Sequence, residues 1–171
     1  MAPSDIAPST SPPVARLVEA FHRLPGIGPK SAQRLTYHLI RMPHEEAQEF
    51  ASAIIGVKEK VVLCEICANL SEATECDICR NHSRDREIIC VVEEPLDVIA
   101  IERARVYAGL FHVLHGVISP VNGIGPNDLK LRELLERLRD GVVTEVIVAT
   151  NPNLEGEATA MYIQQLISPL G

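Results

Sequence analysis

This chain has almost no aromatic residues. It carries no tryptophan, three tyrosines and three phenylalanines, so any core it builds is aliphatic. It has no apolar run approaching the ~20 residues that a membrane-spanning helix needs. Its first thirteen residues are rich in proline and serine, lack the apolar centre of a secretory signal, and read as a disordered tail. No Gly-x4-Gly-Lys-Ser/Thr stretch occurs, which excludes the phosphate loop of a large class of nucleotide hydrolases. Positive charge is scarce too: 16 Lys and Arg stand against 23 Asp and Glu, a formal net charge of −7. Taken as one object, such a chain does not hold DNA by bulk attraction.

Cysteine is the residue used with most pattern. Cys64-Glu-Ile-Cys67 is followed, eight residues on, by Cys76-Asp-Ile-Cys79. Two CxxC turns aim four thiols at one point, the tetrahedral shell Zn²⁺ prefers at Zn–S distances of ~2.3 Å. A closed four-sulfur shell is structural and not catalytic. Paired disulfides are the rival reading, but nothing here points to secretion, and thiols in a reducing compartment stay reduced. A redox CxxC uses one pair inside a larger fold. His44 and His82 are spare ligands that a complete four-cysteine shell does not need. Cys90, in the apolar run Ile88-Ile89-Cys90-Val91-Val92, reads as a core residue. The zinc loop has too few apolar residues for a core, so the ion must supply its folding energy.

Divided around that loop, the charge is uneven. The stretch 14–60 carries seven basic and five acidic residues, whereas the rest carries nine basic and eighteen acidic. A weak nucleic-acid module joined to an acidic partner-binding module gives that asymmetry; so does ordinary variation between modules.

Along the chain, Val14, Leu17, Val18 and Phe21 recur at helical spacing. Leu24-Pro25 ends that helix, Gly26-Ile27-Gly28 makes a tight hairpin, and Pro29 opens a second helix with Ala32, Leu35, Leu39 and Ile40 on its apolar side. Lys30 and Arg34 lie one turn apart on the exposed side. Helix, glycine hairpin, helix is a helix-hairpin-helix, although an ordinary αα-corner shares the outline. Glycines admit a phosphate close to the backbone, and the next helix N-terminus aims free N–H groups at it. Lys30 and Arg34 add charge that positions a strand without reading bases. A third helix over 44–60 is expected to pack on the first two.

From Glu87 the pattern becomes α/β. Strands are expected at 87–92, 109–115 and 142–150. Helices are expected at 95–105 (Leu96, Ile99, Ala100 and Ala104 on one apolar face), after a cap at Asn127 or Asp128, and at 155–167. Strand–helix alternation predicts a parallel sheet whose working residues lie beyond the strand carboxyl ends. Those are Glu93, Glu94, Asn151 and Asn153, with Glu155 and Glu157 close behind.

The segment Ala149-Thr-Asn-Pro-Asn-Leu-Glu-Gly-Glu-Ala-Thr-Ala160 resembles the Toprim signature of type IA topoisomerases and primases, and Val91-Val-Glu-Glu94 resembles its glutamate-bearing strand. Catalytic Toprim domains have Asp-x-Asp where this chain has Asn151 and Asn153, and bind Mg²⁺ there with the glutamate matching Glu93. Neutral amides bring no counter-charge to a hard cation. The order helix-hairpin-helix (14–60), four-cysteine zinc finger (61–86) and Toprim-type sheet (87–171) resembles the bacterial recombination mediators of the RecR family, with Leu24-Pro-Gly-Ile-Gly-Pro-Lys-Ser-Ala-Gln-Arg-Leu35 close to that family's wording.

The resemblance implies a multi-module α/β protein acting as a non-catalytic clamp. It would be cytoplasmic and nucleoid-associated, and would assemble head-to-head and tail-to-tail as a dimer or tetrameric ring. It would bind single- and double-stranded DNA through Gly26, Gly28, Lys30 and Arg34. It would hold one structural Zn²⁺ on Cys64, Cys67, Cys76 and Cys79. Its acidic face of Glu93, Glu94, Glu155 and Glu157 would dock RecO- and RecF-like partners that help load RecA onto gaps coated with SSB. The family's Toprim sheet continues with a further strand and an assembly helix, so the part ending at Gly171 is expected to be incomplete. The enzymatic alternative is a Mg²⁺-dependent Toprim nuclease or topoisomerase. It needs the missing carboxylates and finds only Tyr37, Tyr107 and Tyr162 as tyrosine nucleophiles.

Overall fold

The computed structural model describes residues 11–170, in two compact units that divide between Glu59 and Lys60. The first unit is helical. Helix α1 (Pro12–His22) opens on two prolines, which suit a first turn because they lack the N–H that would go unpaired there. It therefore takes in two residues expected to belong to the disordered tail; residues 1–10 of that tail lie outside the described residues. Gly26, at φ +78°, turns the chain, with the Ile27 amide donating to the Leu24 carbonyl at 3.1 Å. Helix α2 (Pro29–Arg41) follows, and ends where Met42 takes an extended conformation before Pro43.

Of the expected apolar row of α2, Ala32 is buried and Leu39 half-buried, whereas Leu35 and Ile40 are 37% and 53% exposed; Thr36, outside that row, is buried as well. Thr36 is tolerated inside because its hydroxyl donates to the Ala32 carbonyl one turn back, at 2.9 Å. Helix α3 (His44–Lys60), expected to pack on the first two, lines a shared groove with them through Ala47, Phe50 and Ile54 but buries no residue fully. Its Phe50, Ile54 and Ile55 stand open to solvent.

In the second unit a two-stranded antiparallel ribbon comes first, β1 (Val62–Leu63) and β2 (Leu70–Ser71), and then the one-turn helix α4 (Asp77–Arg80). The sheet consists of β3 (Asp85–Val92), β4 (Gly109–Val113) and β5 (Glu145–Val148), all parallel, in the order β4-β3-β5. Helix α5 (Pro95–Ala104) joins the first two; α6 (Leu131–Leu138) lies between β4 and β5, and α7 (Leu154–Ile167) follows β5.

Because successive strand residues point to opposite faces, β3 feeds two cores. Ile89 and Val91 join Leu110, Leu114, Leu131, Leu134 and Ile163 on one face, and Cys90 and Val92 join Val98, Phe111 and Val113 on the other. Cys90 is 4% exposed, and burial pushes its thiol up to about 11, so it is an inert core residue. Helix α5 faces this core with Val98 and Ile101, while Leu96 and Ile99 point outward, the reverse of the expected face.

Strand ends also differ from the expected ones. β4 stops at Val113 because His115 (φ +60°) and Gly116 (φ +138°) turn the chain. Helix α6 is not capped by Asn127 or Asp128. Both belong to a 3-10 turn, Pro126–Asp128, in which the Asp128 carboxylate accepts from the Gly125 amide at 2.8 Å, and the cap falls at Lys130. Asn153 caps α7, its side chain accepting from the Gly156 amide at 2.7 Å.

Candidate functional site

Three constellations carry chemistry. In the first, the CxxC turns fold as the spacing requires. The Cys64 carbonyl accepts from the Ala68 amide at 2.9 Å, closing one knuckle, and Cys76 caps α4, which presents Cys79. The four sulfurs lie within 4.8 Å of one another and every cysteine is at most 6% exposed. Cys67 and Cys76 Sγ are 3.5 Å apart, close to the roughly 3.8 Å between ligands of a tetrahedral site with ~2.3 Å Zn–S bonds. The Cys76 amide points at Cys64 Sγ (3.3 Å), a donor aimed at a thiolate. Hydrogen bonding from the Cys67 thiol to Cys76 raises the first pKa far above, and holds the second far below, the ordinary value. Thiols this close hydrogen-bond to one another until a cation displaces their protons. The donor set fits Zn²⁺. His82 is exposed and outside the cluster, and His44 stands exposed at the start of α3.

The zinc loop does not float beside the sheet. The Val113 amide donates to the Cys67 carbonyl at 2.8 Å, and His115 Nε2–H donates to the Ala68 carbonyl at 2.6 Å. Ile78, between the second pair of cysteines, packs against both sheet cores and against the cysteine cluster.

The second constellation is the glycine hairpin. Lys30 and Arg34 are exposed on α2, one turn apart, and neither is in an ion pair among the described residues. No side chain caps α2, and no acidic residue sits in its first turn, so its N-terminal N–H groups and dipole stay open. Gly26 needs glycine for its positive φ. Gly28 has an ordinary φ of −79°, and a Cβ there would meet nothing within 4 Å. Nothing inside the unit demands glycine at 28.

The third lies at the carboxyl ends of β3 and β5. Glu93 is 7% exposed; its Oε1 accepts from the Asn151 backbone amide at 2.7 Å and its Oε2 from the Asn151 side-chain amide at 2.5 Å. A Cβ on Gly156 would lie 2.1 Å from the Asn151 carbonyl oxygen and 2.9 Å from Glu93 Oε1, so the loop closes tightly over this clasp. Glu93 is therefore not part of an exposed docking face: its carboxylate is spent inside the molecule. Glu155 is half-buried and accepts from the Ser119 hydroxyl. Of the four acids expected on one face, Glu94 and Glu157 are exposed. No sequence motif marks Ser119. In the sequence Asn151 reads as a lost metal ligand; in the structure it supplies two donors to Glu93.

Fold and sites together define a three-part protein: a helix-hairpin-helix, a four-cysteine zinc finger and a Toprim-type parallel α/β sheet. Comparison with known families finds the same three parts in the same order: the RecR helix-hairpin-helix over residues 14–58, the RecR zinc finger domain with four cysteine ligands over 61–81 and the Toprim domain over 87–171. Recombination protein RecR of Cutibacterium acnes is 57% identical over 159 residues, covering 93% of this chain and 79% of the relative. Those of Heliobacterium modesticaldum and Staphylococcus aureus are 52% and 50% identical over 159 residues, each covering 93% of this chain and 80% of the relative. The chain belongs to the RecR family of recombination proteins, and its cofactor is one structural Zn²⁺.

Proposed function

We propose that this recombination protein is a non-catalytic DNA clamp and mediator, helping to load recombinase onto single-stranded gaps. The observation that carries the non-catalytic reading is the Glu93–Asn151 clasp. Two amide donors occupy both oxygens of the carboxylate that a catalytic Toprim site would give to Mg²⁺. The nearby acids do not make up the deficit, since Glu155 is engaged by Ser119.

DNA binds at the hairpin, where Gly26 and Gly28 let a phosphate approach the open start of α2 and Lys30 and Arg34 neutralise its neighbours. One such site is weak, so useful affinity comes from several copies. A groove of about 520 Å³ lined by Leu17, Phe21, Leu24, Ile40, Phe50 and Ile54 offers a second copy an apolar surface. The exposed Glu94 and Glu157 are suited to basic surfaces on RecO- or RecF-like partners. The setting is the bacterial cytoplasm; no helix among the described residues is long and apolar enough to cross a membrane.

The test is incubation of the zinc-loaded chain with labelled single- and double-stranded DNA in Mg²⁺. Binding that weakens steeply with salt, without cleavage, is the expected result. Cleavage that Glu93→Gln abolishes overturns the reading.

A further inference from the structure

The outer edge of β4 is where the zinc loop meets the sheet, and it holds a cation that is in no ion pair among the described residues. Alternate residues of an edge strand turn their backbone groups outward. At the Gly109 slot the carbonyl accepts from Arg84 Nη1 at 3.0 Å, and Arg84 is ion-paired with Glu102. At the Phe111 slot the carbonyl accepts from Arg137 Nη1 at 2.5 Å. At the Val113 slot the amide donates to the Cys67 carbonyl.

Phe111 and Val113 are two residues apart, roughly 7 Å along the strand. The Arg137 guanidinium and the first zinc knuckle are thus neighbours on one edge. Arg137 differs from Arg84 in having no carboxylate: it is in no ion pair among the described residues, and its Nη2 is buried without a hydrogen-bond partner. Burial draws its pKa below the ordinary arginine value, while negative charge on Cys79, Cys67 and Cys64 acts in the opposite direction. A buried charge without a counter-charge is costly enough to be rare. Four thiolates around Zn²⁺ carry a net charge of about −2. Arg86 also reaches the loop, donating to the Cys79 carbonyl at 3.1 Å, but from an exposed position where water screens it.

We propose that Arg137, half-buried with its Nη2 out of reach of solvent, is the counter-ion of the zinc–tetrathiolate group, so that metal retention by the zinc loop depends on a side chain of the α/β sheet's own helix α6. Arg137 is a positioning residue here, acting on the metal through its charge and not as a ligand. The bare alternative is that it only covers the Phe111 carbonyl at the strand edge.

Zinc transfer from the full, zinc-loaded chain to an excess of a chromophoric chelator at fixed pH separates the two. Arg137→Met and Arg137→Gln should release zinc roughly 10–100-fold faster than the unaltered chain, the usual scale for losing an outer-shell partner. Arg137→Lys keeps the charge and should stay within about threefold. Unchanged release from the Met and Gln variants overturns the proposal; so does a Lys variant as fast as Met. Thermal melts give an independent readout. With zinc, Arg137→Met should melt below the unaltered chain; after the metal is stripped it should melt no lower, because the unpaired charge is gone. An equal loss in both states means that Arg137 serves only as edge cover.

Discussion

The Val113 amide, on the outer edge of β4, donates to the carbonyl of Cys67, a zinc ligand, at 2.8 Å. Metal binding and sheet integrity therefore share one hydrogen bond. Chelating the zinc should expose the Val113 amide as well as the cysteines. Hydrogen exchange at Val113 is expected to accelerate on metal removal while the central strand at Val91 stays protected. Equal protection of Val113 with and without zinc would show that the loop folds independently of the sheet.

At the hairpin, Gly28→Ser should separate binding from stability. The space beyond Gly28 is empty and serine is a good cap, so the melting temperature should hold or rise slightly. DNA affinity should fall, because the side chain stands where a phosphate would approach. Lys30→Ala and Arg34→Ala should each weaken binding alike for all sequences and flatten the salt slope by about one unit. A changed sequence preference in a titration series would contradict phosphate contact.

Asn151→Asp places a carboxylate against the buried carboxylate of Glu93 and removes an amide donor. We expect a loss of about 1–3 kcal/mol in stability, the scale for a buried polar group left without its partner. Pairing it with Asn153→Asp should raise Mg²⁺ affinity and let Mg²⁺ recover part of the loss, with no nuclease activity appearing. Unfolding curves in EDTA and in Mg²⁺ give both readings; full stability of Asn151→Asp in EDTA would contradict the clasp.

His112 is fully buried, and burial pushes its pKa down to about 4 from 6.5. Its Nε2–H donates to the Lys130 carbonyl at 2.7 Å, leaving Nδ1 bare and buried, with Arg137, Glu133 and His115 as its charged and titratable neighbours. The folded state therefore prefers the neutral ring. Its contribution is fully present above pH 6.5 and is lost as pH falls toward about 4, amounting to about 3 kcal/mol. His112→Gln keeps a donor for Lys130 but does not titrate, so its stability curve should be flatter across that window. Acid release of zinc affects both proteins, and parallel curves would remove His112 as the cause.

Ile54→Asp puts a charge into the groove beside Phe50. If a second copy covers that surface, light scattering should show a smaller assembly and DNA affinity should fall with it. Unchanged mass would assign the groove another occupant.

The parts legible in the sequence were those encoded by neighbours in the chain. Two CxxC turns, a proline after two glycines and a β-branched run from Ile88 to Val92 each state their geometry within a few residues. Contacts between distant residues were not legible. Asn151 reads as a lost metal ligand until its amide is seen 58 positions away on Glu93. The inward face of α5 and the cap of α6 depend on tertiary packing, which places Val98 over Leu96 and takes Asp128 for a different turn. Arg137 looks like one more surface arginine until the outer edge of β4 is located.

Ile78 occupies a spacer position in the second CxxC, where the metal asks nothing of side-chain identity. Yet its methyls fill space in two separate hydrophobic clusters of the sheet as well as in the cysteine cluster. The finger is consequently not an exchangeable cassette. A knuckle grafted from another protein with identical cysteine spacing would chelate the ion and still leave a void in two places at once, unless a branched aliphatic residue travelled with it.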